Sequence, residues 1–227
     1  MEKVSGYIKT LDDIHEACSY TATFPKPGSE RFVERINWPI LGLAFVYLAI
    51  LGFASYKYYT WRPAGPATPP LLAETSVRGI GGWLILVAIG LVISPFNIAA
   101  TILESLSAYS PTTWHYLTNP KGGGYHALYA PLLIGELLAN LTLLMMVLLL
   151  LVVFFQKKAT FPALYIAYLT FNALVQIVDL AGTQFIPSLA NQMTPKDYKM
   201  LVRSVIGGCI WISYALVSKR VKATFIR

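Results

Sequence analysis

The sequence predicts an all-α fold, a polytopic transmembrane bundle of about five spans in which one N-terminal span precedes a four-span core. Three observations predict it. Of 227 residues, 56% are hydrophobic and only 13% are charged, against about 25% charged in an ordinary soluble domain. The apolar residues run in long blocks, the pattern of helices solvated by lipid. Between the blocks lie short stretches rich in proline, glycine and charge, which end helices.

Residues 1–37 read as a polar tail of alternating charge, broken by Pro25-Lys26-Pro27-Gly28. Thr10 to Glu16 suggests a short helix with Asp12 near its start. The tail has no central apolar run of the kind a cleavable signal peptide carries, so the spans themselves are expected to direct insertion. Residues 38–56, WPILGLAFVYLAILGFASY, hold no charge and reach about 28 Å as a helix. Trp38 would mark one interface, and Tyr56, Tyr58, Tyr59 and Trp61 the other. Residues 57–77 form a linker whose prolines forbid a continuous helix.

Residues 78–227 read as the four-span membrane domain. Span two covers Gly81 to Leu106, with a kink expected at Ser94-Pro95 and Asn97 just beyond. A loop of about 20 residues follows; its Tyr109, Trp114, Tyr116 and Tyr125 suggest that it lies at the interface. Span three runs from Leu128 to Phe155 and ends at Gln156-Lys157-Lys158. Pro162 opens span four, Ala163 to Ile186, in the position proline favours. Pro187 and Pro195 punctuate the next loop. Span five, Met200 to Val217, works if Arg203 snorkels to the interface, and Ser218-Lys219-Arg220-Val221-Lys222 anchors its end.

The net charge of +7 would suggest nucleic acid in a soluble protein. Here the basic residues flank apolar spans and form no stripe interleaved with aromatics, so the positive-inside bias explains them and no nucleic-acid partner is expected. With five crossings, Arg78, Lys157, Lys158, Lys219, Arg220, Lys222 and Arg227 share one side. Lys121, Lys196 and Lys199 share the other. That asymmetry puts the C-terminus in the cytoplasm. Lys26, Arg31 and Arg35 oppose it, and the tail is expected to be translocated despite them.

Cys18 and Cys209 are too few for a disulfide framework or a structural zinc site. His15, His115 and His126 have no metal-binding spacing. Gly79-Ile80-Gly81-Gly82 precedes a membrane helix and reads as a flexible lead-in to it, not a phosphate loop. Gly207-Gly208 reads as close helix packing. No serine lies in a nucleophile elbow. No cofactor, metal or catalytic residue is expected.

Ionisable groups inside hydrocarbon are costly and turn toward a bundle interior or a wet cavity. Glu104, Glu136, Asp179 and Arg203 are the candidates, and all fall in the extracytoplasmic half of the expected bundle. Asn140 shares a helical face with Glu136; Asn172, Gln176 and Asp179 share another. The economical arrangement turns both stripes inward, with Arg203 offsetting Asp179 or Glu136. Structural glue between helices is the first reading of this cluster, a ligand- or ion-binding cleft the second, and acid–base catalysis a distant third.

Gly79-Ile80-Gly81-Gly82-Trp83-Leu84-Ile85-Leu86, then Gly90-Leu91 and Ser94-Pro95, resemble a bacterial family known as domain of unknown function 2569. The resemblance continues through Glu136, Asn140, Phe154-Phe155, Lys157-Lys158, Pro162, Arg203, Ile210-Trp211-Ile212 and Tyr214. It closes on Ser218-Lys219-Arg220-Val221-Lys222-Ala223-Thr224-Phe225. It implies a four-span domain of the bacterial inner membrane over residues 78 to 227, with no assigned catalytic residues or cofactor. The tail and first span are then an addition, able to dock a partner membrane protein. The expected function is a non-enzymatic accessory or assembly component of a membrane complex. The alternative is a small transporter or ligand-binding membrane protein that uses the polar cluster.

Overall fold

The structure, a computed structural model, describes residues 37–61, 79–120, 124–191 and 193–226. The tail with its Thr10–Glu16 helix, Cys18, His15, Lys26, Arg31 and Arg35, and the linker 62–78, lie outside the described residues.

The described residues are helical, with no strand. In chain order they form α1 (Trp38–Thr60), α2 (Trp83–Ser105), a 3-10 turn (Leu106–Tyr109), α3 (Pro111–Thr118), α4 (Tyr129–Phe155), α5 (Phe161–Gln184), α6 (Pro187–Ala190), α7 (Pro195–Val217) and α8 (Lys219–Thr224). Five are long and apolar enough to cross a membrane: α1, α2 with its 3-10 continuation, α4, α5 and α7. Their order matches the expected spans, with ends that differ in instructive ways.

The last long helix starts at Pro195, before the expected Met200. Thr194 is its N-cap and Asp197 completes a capping box: the Asp197 carboxylate accepts from the Thr194 backbone N–H at 2.7 Å and from its hydroxyl at 2.8 Å. Pro195 sits at the first helical position, where its missing N–H costs nothing. The 106–128 segment contains more structure than a loop. Ser110 caps α3 by accepting from the Thr113 N–H, and Pro111 again leads. Tyr109 is buried and donates to the Leu133 carbonyl at 2.8 Å, which ties this segment to α4.

Inside α2, Pro95 removes the N–H that would reach the Leu91 carbonyl. One residue earlier, the Ser94 hydroxyl donates to the Gly90 carbonyl at 2.7 Å. The helix nonetheless continues through Pro95 to Ser105.

Helix α4 is central. Helices α1, α2 and α5 all pack on it, while α7 packs on α5. The densest core lies where α4 ends and α5 begins, called here the turn end. Leu150, Val153 and Phe154 of α4 are fully buried, Phe161 of α5 nearly so, and Phe225 beyond α8 is buried with them. The Phe161 ring stacks on Phe225 with centroids 4.2 Å apart, and Phe154 meets both edgewise or tilted.

The α4–α5 turn closes α4 with two backbone bonds, Lys157 N–H to Phe154 O and Lys158 N–H to Val153 O. This is a Schellman motif, and it puts Lys157 at φ 56°, a position glycine usually fills. Lys158 turns back onto α1: its Nζ donates to the Tyr59 carbonyl at 2.7 Å and lies 3.2 Å from that ring's centroid. Tyr59 donates in turn to Gln156 Oε1. The two segments that carried the family resemblance also meet here. Thr224 in α8 donates to the Gly79 carbonyl and accepts the Gly79 N–H, both at 3.3 Å. Arg220 lies so close to Gly81 that a side chain on Gly81 would collide with Nη1.

Candidate functional site

The opposite end, called here the loop end, holds intramembrane polar residues named from the sequence, but not as one cluster. Helix α5 presents Asn172, Gln176 and Asp179 at spacings of four and three, hence on one face. The stripe divides. Gln176 Nε2 donates to Ser204 Oγ of α7 at 2.8 Å, and Asn172 Nδ2 lies 3.5 Å from the same oxygen. These amides join α5 to α7. Asp179 lies one turn further on and instead faces open space.

That space is a cavity of about 330 Å³ between α4 and α5. On α4 it is lined by Pro131, Leu132, Gly135, Glu136 and Ala139, and on α5 by Phe171, Leu174, Val175, Val178 and Asp179. The sequence makes the room. Gly135 and Ala139, one turn apart, leave the α4 wall without bulk, and a Cβ built on Gly135 would meet nothing within 4 Å. Gly182 of α5 lets Leu132 in close: a Cβ there would lie 2.6 Å from Leu132 Cδ1. Glu136 and Asp179 are half-buried and near enough for their charges to interact. Among the described residues no lysine, arginine or histidine lines this cavity.

Asp179 also borders a second cavity, of about 300 Å³, with Gln176, Thr183, Met193, Asp197 and Met200 among its walls. It is reached from the first turn of α7. Asp197, Asp179 and Glu136 therefore follow one another inward from the loop end.

The expected offset by Arg203 is not what the structure has. Arg203 is exposed and lines a separate groove on α7 with Tyr198, Lys199, Val202, Ile206, Gly207 and Ile210. The reason is helical phase. Ser204 is the residue turned to α5, and a neighbour in sequence is rotated by about 100°. Glu104 is exposed near the end of α2, and Asn140 is half-buried on α4; neither lines the two cavities. The structure thus places Asp179 in one cavity with Glu136 and in another with Gln176. It leaves Glu104, Asn140 and Arg203 apart, and commits Asn172 to the α5–α7 seam.

Sequence reasoning missed Ser204. The signal was present, because Ser204, Gly208 and Ala215 recur at helical spacing as small residues, a pattern of helix contact in membranes. The adjacent arginine drew the attention instead. Close packing at Gly207-Gly208 needs correcting too. Gly208 is buried, yet a Cβ at either position would find no atom within 4 Å. His115 lies 3.2 Å from Asn119 Nδ2, and His126 meets the Tyr129 ring edgewise. No group of three metal-ligating side chains forms among the described residues.

Five membrane-length helices, two of them bearing half-buried carboxylates in the cleft between them, define a multi-pass integral membrane protein. Residues 77–226 match the family model described as a protein of unknown function, DUF2569, and the chain belongs to that bacterial family. No curated protein and no solved structure matches the chain significantly.

Proposed function

We infer that this DUF2569 protein is a non-enzymatic ligand-binding membrane protein whose α4–α5 cavity takes a small organic cation. One observation carries the reading: Glu136 and Asp179 share a cavity with no basic side chain on its walls among the described residues. Two carboxylates left in a low-dielectric setting without a counter-charge are costly, and a cationic solute removes that cost. The volume lies at the small end of the range for small-molecule sites. Its walls are otherwise apolar, which suits an ammonium group on a hydrocarbon body. A bare metal ion would want a fuller oxygen shell.

The test is thermal unfolding of the purified protein in nanodiscs with putrescine, tetramethylammonium or sodium added. An organic ammonium ion should raise Tm where sodium does not, and the Glu136→Gln, Asp179→Asn double variant should lose the response while folding normally. An unresponsive wild type, or an equal shift in the variant, would sink the reading.

A second reading, an accessory or assembly component, has its own observation. Helix α1 precedes the family match and holds to α4 through Tyr47 and Thr142 at 2.8 Å. Its other face exposes Phe45, Val46, Ile50 and Phe53. On this reading the tail and α1 dock a second membrane protein. Recovery of a stoichiometric second polypeptide after mild solubilisation, lost in a Phe45→Ala, Phe53→Ala variant, would favour it.

For either role we place the protein in the inner membrane with its C-terminus in the cytoplasm. Lys57, Lys157, Lys158, Lys219, Arg220 and Lys222 gather at the turn end; Lys196, Lys199 and Arg203 are at the loop end. That balance supports a cytoplasmic turn end.

A further inference from the structure

We propose that the outward face of α7 is a binding site for an anionic phospholipid, separate from the α4–α5 cavity. Lys199 and Arg203 are one helical turn apart on this face, and both are exposed. They stand at the head of a groove of about 580 Å³ whose remaining walls are Tyr198, Val202, Ile206, Gly207 and Ile210. The groove is charged at one end and apolar along the rest, the layout of a headgroup phosphate followed by an acyl chain.

The groove lies on the side of α7 turned away from its packed neighbour. Ser204 meets α5 and Gly208 is buried, whereas Val202, Ile206 and Ile210 are each more than half exposed. Arg203 lies one turn beyond Lys199 along α7, and its side chain reaches the interface by snorkelling, where an anion offsets its charge. No acidic side chain lines the groove among the described residues. Phosphate supplies that anion at interface depth, and Lys199 gives it a second donor nearer the water. Below Arg203, Gly207 opens a notch: a Cβ there would meet nothing within 4 Å. The notch continues the line from Lys199 through Arg203, so a chain descending from the phosphate passes over it. Tyr198 is held at the rim by Gln184 of α5, whose Nε2 donates to the Tyr198 hydroxyl at 3.0 Å.

Charge complementarity selects a lipid over a second protein helix. Two cations at the head of an apolar channel match an amphiphile with one anionic end. The turn end is more basic, but its Lys219 and Lys222 line neither this groove nor the two cavities that Asp179 borders.

The experiment is native mass spectrometry of the full chain released from nanodiscs of phosphatidylcholine with phosphatidylglycerol. The expected result is retained phosphatidylglycerol, enriched over phosphatidylcholine by about tenfold. A Lys199→Gln, Arg203→Gln variant should fall to parity. Gly207→Leu should fill the notch and cut the enrichment severalfold with both charges intact. Its side chain points into open space, so the fold should survive. Lys219→Gln, Lys222→Gln should leave enrichment unchanged. The proposal fails if Gly207→Leu retains full enrichment, if the turn-end variant loses it equally, or if inorganic phosphate displaces the lipid at equal concentration. It also fails if a co-purified polypeptide occupies the face. The putrescine response of the cavity is read separately, so either result stands without the other.

Discussion

Phe154 and Glu136 belong to the same helix, about 27 Å apart along its axis, in opposite surroundings. Phe154 is fully buried among Phe155, Phe161 and Phe225. Glu136 borders a cavity whose walls, Asp179 apart, are apolar. At the turn end a short turn joins α4 to α5, Lys158 and Gln156 are hydrogen-bonded to Tyr59, and Thr224 is hydrogen-bonded to Gly79. At the loop end, segments with two short helices of their own connect α2 to α4 and α5 to α7, and no basic side chain among the described residues lines the cavity that Glu136 and Asp179 share. The difference suggests a division of labour along α4, with rigidity at one end and an adaptable, chemically equipped space at the other. Membrane helices gain little from hydrophobicity against lipid and rely on packing and hydrogen bonds. A tightly packed turn end can therefore support a loosely packed loop end.

The contrast can be broken most forcefully at the aromatic cluster. Phe154→Ala should lower stability by about 3 kcal/mol, seen as a large fall in Tm and in the yield of monodisperse protein. Next comes the clamp between α8 and the α2 lead-in. Thr224→Val keeps the shape, removes both bonds to Gly79, and should cost about 1.5 kcal/mol in thermal or denaturant unfolding. Lys157→Gly should act in the other direction by about 1 kcal/mol, because glycine adopts the left-handed conformation without strain; a raised Tm checks it. The smallest change should come at the loop end, where Gln176→Leu removes an interhelical bond to Ser204 worth about 0.6 kcal/mol. If Gln176→Leu proved as damaging as Phe154→Ala, the proposed division of labour would be wrong.

Much of this was legible in the sequence. Uncharged runs, interfacial aromatics and proline breaks defined the spans, since hydrocarbon tolerates few alternatives. Helix starts were harder. Thr194 with Asp197 and Ser110 with Pro111 are local capping signals, but they sit in polar segments that hydropathy reads as loop. Glu136 and Asp179 were identifiable because a carboxylate in an apolar run needs an explanation. Arg203 was assigned to the wrong partner because residue type and depth say nothing about rotation about the helix axis. The α5-facing Ser204 and the outward Arg203 are adjacent in sequence, and only packing decides which of them faces inward. The cavity itself was not readable, since it depends on how the small Gly135 and Ala139 of α4 face α5 and on Gly182 of α5 admitting Leu132.

The bond pair between Thr224 and Gly79 joins positions 145 residues apart. Thr224 is among the last residues a ribosome adds to this domain, so the lead-in to α2 stays unfastened while every later span is made and threaded into the bilayer. Locking is deferred until residue 224 has been made. A nascent chain stopped short of Thr224 would leave a membrane domain inserted yet unlatched, a distinguishable target for quality-control proteolysis.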